Sequence, residues 1–170
     1  VAVDISPDLL EKARKRGLPA NRVQFICCRF EEMMQTEAYD AVIGSSVLHH
    51  LELKDALAII FSLLKPGGFM VFAEPNMLNP QVFAERTFLR QWLKHVSPDE
   101  TAFVRWMFQK QLRHAGFDEI EIRPFDWLHP SVPRALINVV NFSGALLERT
   151  PIIKEFAGSL LICCRRPESK

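Results

Sequence analysis

Apolar and polar residues alternate along the chain in short blocks that predict strands followed by helices. Residues 69–73 form one continuous apolar run, which is typical of a strand covered on both faces. The run follows a helix end at Leu64 and a Lys-Pro-Gly-Gly segment at 65–68, where proline and glycine favour the end of a helix and a tight reversal. Glu74 and Asn76 come directly after the run, at the carboxyl end of the predicted strand, where open α/β sheets bind ligands.

The same pattern predicts the other elements. Strands are expected at residues 1–3, 23–28, 41–43, 120–125 and 159–164, and helices at residues 7–16, 53–64, 98–115 and 133–148. Ser6 is expected to cap the first helix, and a capping box at 97–100 starts a helix that is expected to bury Met107. Residues 31–34 fit either a short helix or a loop. This alternation predicts a parallel sheet with helices on both faces, closed by two late strands.

Composition limits the classes of protein and of substrate. A chain of 170 residues with 48% hydrophobic and 24% charged residues is sized for one globular domain, and we expect residues 1–170 to form it. Residues 77–97, with Phe83 and Trp92, are expected to form a helical cover over the site. A net charge of +1 gives no field that would attract nucleic acid, so the substrate is expected to be small or lipid-like. With no signal peptide and no apolar span of membrane length in the sequence, a cytoplasmic location is expected.

The four cysteines come as two adjacent pairs, Cys27 with Cys28 and Cys163 with Cys164. Each pair lies in a strand-like run, where neighbouring side chains point to opposite faces of a sheet. This spacing fits neither a zinc site nor a disulfide framework. We therefore expect four reduced, mostly buried thiols and no metal.

Polar residues that follow the predicted strands are the candidates for chemistry. Asp4 ends the first strand, where a carboxylate can bind ribose hydroxyls, although an acid at a helix start is also favoured by the helix dipole. His49 and His50 follow the strand at 41–43. His49 is the first candidate for a general base, and Glu74 is the second. The alternative for the two histidines is one packing side chain and one exposed side chain.

Three further polar residues join His50 as candidate substrate contacts. Asn76 follows the apolar run, and Asp126 and His129 lie in the segment Phe-Asp-Trp-Leu-His-Pro at 125–130. Each has a structural alternative. Asn76 can cap the segment that follows it, and Asp126 with His129 can form a turn before the proline.

Four segments together resemble the class I S-adenosylmethionine-dependent methyltransferase family. VAVDISP at 1–7 resembles the family's second strand, and YDAVIGSSVLHHL at 39–51 resembles its fourth strand and the loop after it. LLKPGGFMVFAEPN at 63–76 resembles its fifth strand with the helix end and turn that precede it. HAGFDEIEI at 114–122 resembles the approach to its sixth strand. The resemblance implies a Rossmann-like three-layer α/β sandwich, with a mostly parallel sheet and a late antiparallel strand. The family's first strand and glycine-rich loop have no counterpart in these residues, so the domain is expected to be partial, truncated at its N-terminus.

The resemblance also implies a cofactor, S-adenosyl-L-methionine, and the residues that hold it. Asp4 would bind both ribose hydroxyls, with Ile5 beside it. The loop that contains Ser45 and Ser46 would border the methionine portion of the cofactor.

The adenine side of the cofactor site departs from the family pattern. An aspartate often follows the third strand and meets the adenine amino group, but Arg29 occupies the matching position, and a guanidinium only donates hydrogen bonds. Phe30 could cover the adenine face, with packing in the core as the alternative.

The expected function is methyl transfer to a small-molecule or lipid-like acceptor. The sulfonium of the cofactor is already activated, so the protein has mainly to align the acceptor with the methyl group, and a base is needed only where the acceptor must lose a proton. Apolar residues at 83–92 and 136–147 favour an apolar or amphipathic acceptor, with packing in the core as the alternative for both segments. Two alternatives stay open: a dinucleotide-binding oxidoreductase, which also uses an acid after its second strand, and a non-catalytic interaction protein that retains the methyltransferase fold.

The strand without a counterpart lies centrally in the family, between the strands that match residues 1–3 and 41–43. Two strand edges would then be unpaired, and exposed apolar edges pair with other backbone. We expect closure of the gap, self-association through these edges, or poor solubility.

We expect the 170-residue chain to bind S-adenosylmethionine weakly. Each hydrogen bond from a glycine-rich loop to the charged ligand is worth about 1.5 to 3 kcal/mol, so losing two or three turns a micromolar site into one of roughly millimolar affinity. Calorimetric titration with the cofactor measures this. A low-micromolar dissociation constant that is lost in Asp4→Ala would contradict the expectation.

Overall fold

The computed structural model describes residues 1–19, 21–33, 36–87, 103–129 and 132–168. The chain divides into two units, Val1–Thr36 and Glu37–Lys170, which are described separately. The capping box predicted at 97–100 lies outside the described residues. So do Phe88, Leu89 and Trp92 of the predicted cover.

The first unit is a strand–helix–strand motif. Its elements are β1 (Ala2–Asp4), α1 (Pro7–Arg14) and β2 (Phe25–Cys27), followed by a 3-10 helix at Phe30–Glu32. β1 and β2 pair in parallel, with Asp4 opposite Cys27. Ser6 begins the helix as predicted, because its hydroxyl accepts the N–H of Leu9 at 3.3 Å. The 3-10 helix is one of the two forms expected for the segment after β2.

The second unit is built on a four-stranded sheet. Its strands are β3 (Tyr39–Ser45), β4 (Leu64–Pro75), β5 (Asp118–Phe125) and β6 (Ser159–Arg165), in the spatial order β3-β4-β6-β5. β3 and β4 are parallel, whereas β6 is antiparallel to both of its neighbours. The predicted late antiparallel strand is therefore confirmed as β6. β1 pairs with β2 in a separate sheet, and the expected closure or self-association at the strand edges stays a prediction.

In the described part of the second unit, four helices accompany this sheet. They are α2 (Leu53–Leu63), α3 (Pro80–Thr87), α4 (Arg105–His114) and α5 (Ile137–Leu147), with 3-10 turns at Leu48–His50, Arg134–Leu136 and Ile153–Phe156. The single helix predicted at 133–148 is thus a 3-10 turn followed by α5. Over the described ranges, no helix combines the length and apolar character needed to cross a membrane.

The core of the second unit lies on one face of the sheet. Met70 and Phe72 of β4 and Ile162 of β6 point to this face and are at most 4% exposed. α2 packs on β4 and α4 packs on β5. On the opposite face, Ile43 is 76% exposed and Phe69 is 50% exposed. The alternation of buried and exposed positions along β4 follows the two-residue repeat of a strand.

β4 begins at Leu64, so the strand start predicted at Phe69 is wrong. The pairing with β3 jumps from Tyr39 opposite Leu64 to Ala41 opposite Phe69, which makes the Lys-Pro-Gly-Gly segment a bulge within the strand. Gly67 has a φ of +76° and donates its N–H to the carbonyl of the residue after β6 at 2.9 Å. A contact distant in sequence, which local pattern does not reveal, therefore continues the strand through the predicted turn.

α4 begins at Arg105 rather than at residue 98. The prediction that it buries Met107 is also wrong, since that side chain is 62% exposed. Phe108 and Leu112, four residues apart and hence on one side of the helix, form the buried stripe, and Met107 is turned away from it by about 100°.

We expect the cysteines of the native protein to differ sharply in reactivity. Burial raises the pKa of Cys164 to about 12, above the ordinary 9.0, while Cys27 is exposed. At pH 8.5, iodoacetamide should modify Cys27 long before Cys164, and denaturant should abolish the difference. Because the folded-state pKa is raised, Cys164 should also cost stability as the pH rises from about 9 to 12. Mass spectrometry of samples taken over time measures the labelling. Equal labelling rates of Cys27 and Cys164 in the native protein, or a disulfide between any two of the cysteines, would contradict the prediction.

Candidate active site

Glu74 lies near the carboxyl end of β4, and its carboxylate is surrounded by three donors. Its Oε1 accepts the backbone N–H of Val47 at 3.0 Å and of Leu48 at 2.9 Å. Its Oε2 lies 2.7 Å from Nδ1 of His49. Glu74 is 1% exposed, so these contacts replace the water that a carboxylate would otherwise require.

The loop after β3 brings these donors to the carboxylate. Ser46 has a φ of +54°, in a region that non-glycine residues rarely adopt, and donates its N–H to the carbonyl of Ala73 at 2.8 Å. The chain then enters the 3-10 turn Leu48–His50. The first N–H groups of a helical turn have no partner within the turn, and they point at Glu74. Backbone strain of this kind is concentrated at functional sites, although the sequence itself showed no sign of it.

His49 is 4% exposed and is oriented by Glu74. A carboxylate only accepts hydrogen bonds, so the contact places a hydrogen on Nδ1 and leaves Nε2 of the neutral ring as the acceptor. Within the described residues, Nε2 makes no hydrogen bond. The ring of His50, which is exposed, lies with its centroid 4.0 Å from that of His49. The two candidate bases predicted from the sequence, His49 and Glu74, are therefore in direct contact.

Gly44 allows β3 and Phe72 to pack closely next to this pair. A Cβ atom at Gly44 would lie 2.8 Å from Cδ1 of Phe72, whose ring is buried. Phe72 and Glu74 are two residues apart on β4 and so face the same side of the sheet. Phe72 thus adds a buried apolar side chain to the face of the sheet that holds the carboxylate.

Asn76, a predicted substrate contact, is fully buried and bonded to backbone. Its Nδ2 donates to the carbonyls of Glu155 and Ala157, both at 2.8 Å, and its Oδ1 accepts the N–H of Leu78 at 3.1 Å. These bonds join the end of β4 to the 3-10 turn before β6. They match the structural alternative stated for this residue.

Asp126 and His129, the other predicted substrate contacts, lie after β5. Asp126 has a φ of +68°, and its Oδ1 accepts the N–H of Leu128 at 2.8 Å, which is an Asx turn. Nε2 of His129 lies 3.4 Å from Oε1 of Glu85 in α3. The two side chains are thus engaged in a turn and in a contact with the predicted cover.

The predicted ribose and adenine contacts lie in the first unit. Oδ1 of Asp4 accepts the N–H of Ser6 at 2.7 Å, which fixes the carboxylate and leaves Oδ2 for a further donor. Ile5, next to it, is 69% exposed. Arg29 is exposed and pairs with Glu31 at 3.4 Å, and this pairing contributes to the lowered pKa of Glu31 after a larger backbone hydrogen bond. Phe30 is half-buried at the start of the 3-10 helix, whereas Ser45 and Ser46 belong to the second unit.

Sequence reasoning missed two features, one at the site of Glu74 and one away from it. The N–H groups of Val47 and Leu48 carry no sequence signal beyond their place after a Gly-Ser-Ser segment. A cavity of about 340 Å³ is lined by three cations, Arg105, Arg123 and Lys154, among other residues. These cations come from elements distant in sequence, so no local pattern indicated the cavity. Its walls contain none of the predicted site residues.

Comparison with known proteins finds similarity to methyltransferases. Residues 1–72 match the family model described as a methyltransferase domain. The uncharacterized methyltransferase YodH of Bacillus subtilis is 29% identical over 125 residues, which are 70% of this chain and 50% of that protein. The probable polyketide synthase 14 of Dictyostelium discoideum is 28% identical over 160 residues, or 81% of this chain and 5% of that protein. The chain thus spans half or less of these two relatives.

The fold is shared with solved methyltransferase structures. A S-adenosylmethionine-dependent methyltransferase from Thermotoga maritima superposes with a TM-score of 0.73 at 16% identity, over 98% of this chain and 72% of that one. The architecture is therefore the Rossmann-like α/β fold of such enzymes. Together with the family-model match over residues 1–72, this fold supports the resemblance to the class I S-adenosylmethionine-dependent methyltransferase family that the sequence predicts. The enzyme class and the cofactor predicted from the sequence agree with this resemblance.

Replacing Glu74 should destabilise the fold strongly. Glu74→Ala leaves three donors, two of them buried, without an acceptor, and we expect a loss of about 3 to 5 kcal/mol in the free energy of unfolding. Glu74→Gln keeps the shape and one acceptor and should lose about 1 to 2 kcal/mol. Urea unfolding measures both, with Glu121→Ala as the control because the Glu121 side chain is 61% exposed. Equal midpoints for Glu74→Ala and Glu121→Ala would show that the three bonds contribute little.

Proposed function

We propose that the protein transfers a methyl group from S-adenosylmethionine to a small-molecule or lipid-like acceptor that first loses a proton to His49. The observation that carries this proposal is the buried pair of His49 and Glu74, with Oε2 2.7 Å from Nδ1. The sulfonium of the cofactor supplies the electrophilic methyl group when bound. The residues of the chain orient the acceptor and receive its proton.

The hydrogen-bonding of Glu74 suits His49 to act as a base. Glu74 holds the hydrogen on Nδ1, so that Nε2 is the nitrogen that takes a proton from the acceptor. The imidazolium that forms lies next to a carboxylate, which stabilises the new positive charge. The two backbone donors on Oε1 keep that carboxylate in place during the transfer.

Asp4 is the residue proposed to bind the ribose of the cofactor. Its Oδ1 is held by the N–H of Ser6, which orients the other oxygen toward a second donor such as a hydroxyl. Ile5, Arg29 and Phe30 are proposed for the adenosine portion. The loop with Ser45 and Ser46 is proposed for the methionine portion.

The polyketide synthase relative favours a carbon acceptor. Polyketide chains carry carbon atoms between two carbonyl groups, and such a carbon becomes a nucleophile only after deprotonation, which is the step that a base assists. We propose this class of acceptor, with the exposed His50 lining its side of the site. Asp126 and His129 are proposed to lie on the same substrate side. Asn76 is proposed to hold the end of β4 in position rather than to contact the acceptor.

The test is methyl transfer to an acetoacetyl thioester, followed by mass spectrometry of the methylated product. Millimolar S-adenosylmethionine offsets the weak binding expected of the 170 residues. We expect His49→Ala to lower the rate by about 10² to 10⁴ without changing cofactor affinity, because a general base contributes about that factor. His114→Ala, in the last turn of α4, is the matched control.

Two results would overturn the proposal. If His49→Ala retains the wild-type rate, His49 is not the base. If the wild-type protein binds the cofactor but methylates neither the thioester nor a phenol or amine offered in its place, the non-catalytic alternative gains support.

A further inference from the structure

α5 has an exposed apolar stripe. Val139, Phe142 and Leu146 are 60%, 78% and 62% exposed, and Leu136 in the preceding 3-10 turn is 50% exposed. At about 100° per residue, the three helical positions lie within about 60° of one another. They form one continuous apolar face, which we call the outer face of α5.

The outer face is separate from the face that packs on the fold. Gly144 is the buried residue of α5, and a Cβ atom there would lie 3.2 Å from Cδ1 of Trp127. Val140 and Leu147, on the same side as Gly144, are half-buried. The helix thus has an inner apolar face used in packing and an outer apolar face left in solvent, which marks the outer face as an interaction surface.

The exposed charges of the segment that contains the outer face, residues 133–153, have one sign. Between residues 133 and 153 the charged residues are Arg134, Glu148 and Arg149. Glu148 is half-buried, and its Oε1 accepts the N–H of Asp126 at 3.0 Å, so it is turned toward the fold. Both arginines are exposed, one before α5 and one after it. Within residues 133–153, the exposed charged side chains are therefore two cations and no acid.

The next exposed apolar side chain after the helix is Ile152, at 77%. We propose that the outer face of α5, with Arg134, Arg149 and Ile152, binds the surface of a bilayer that contains anionic lipid. Phe142 and its apolar neighbours enter the boundary between headgroups and acyl chains, and the arginines bind lipid phosphates. The helix lies along the surface, since its 11 residues are too few to cross a bilayer.

The charge pattern favours a bilayer over a second copy of the chain. Two copies that met through this face would bring four arginines together around an apolar contact, with no exposed acid from 133–153 to pair with them. An anionic bilayer supplies both the apolar layer and the opposite charge. This inference does not rest on methyl transfer, since it concerns surface residues of α5 and not His49 or Glu74.

The test is sedimentation of the protein with sucrose-loaded vesicles of phosphatidylcholine, with and without 30% phosphatidylserine. We expect binding to the mixed vesicles that salt weakens, and much weaker binding to phosphatidylcholine alone. Phe142→Ser with Leu146→Ser should reduce the partition coefficient at least tenfold. Arg134→Gln and Arg149→Gln should each reduce it about fivefold.

Matched control variants distinguish vesicle binding through this surface from nonspecific binding. Ile43→Ser removes an equally exposed apolar side chain, at 76%, and Arg123→Gln removes an exposed arginine of β5, so neither should change vesicle binding. Wild-type protein that stays in the supernatant with both vesicle types would overturn the proposal. So would a dimer, seen by light scattering, that Phe142→Ser with Leu146→Ser dissociates, because the occupant of the face would then be a second copy.

Discussion

The second unit depends on one constraint: the carboxylate of Glu74 is buried and must be fully hydrogen-bonded. An uncompensated charge in such a place costs several kcal/mol, so the surrounding backbone has to supply donors. It does so from the loop after β3, where the turn at Leu48–His50 directs two N–H groups and one imidazole to the two oxygens. The left-handed conformation of Ser46, which costs on the order of 1 to 3 kcal/mol, is maintained because that arrangement stabilises more than it strains.

Much of this candidate site could be predicted from the sequence, because the apolar runs indicate where the strands end. Short apolar runs that end in the Gly-Ser-Ser segment and in Glu74 place polar groups at carboxyl ends, and the parallel strands β3 and β4 bring these two ends to one edge. The contact between His49 and Glu74 required more than that. That contact depends on the conformation of the intervening loop. The backbone N–H groups that bind Glu74 are not indicated by any residue type, because every residue except proline has one.

The wrong predictions share a physical cause. They were drawn from local sequence patterns, whereas contacts with residues distant in sequence determine these features. The Lys-Pro-Gly-Gly segment has the composition of a turn, yet a hydrogen bond from Gly67 to the end of β6 keeps it within the strand. Periodicity showed α5 and the residues around Met107 to be apolar, but it could not say which apolar positions meet protein. The exposure of Phe142 depends on tertiary packing, because the contact of Gly144 with Trp127 determines which side of the helix faces solvent.

The hydrogen bonds of Glu74 also link two roles that are usually considered separately. The residue that orients His49 through Oε2 holds the loop of Ser45 and Ser46 through the neighbouring N–H groups on Oε1. A change at Glu74 therefore acts on the proposed base and on the loop proposed to border the cofactor at the same time, so its kinetic effect cannot be assigned to either alone. A change at His49 removes the base but leaves Oε1 and its two donors intact. The difference between the two substitutions, rather than either one, isolates the part that the loop contributes.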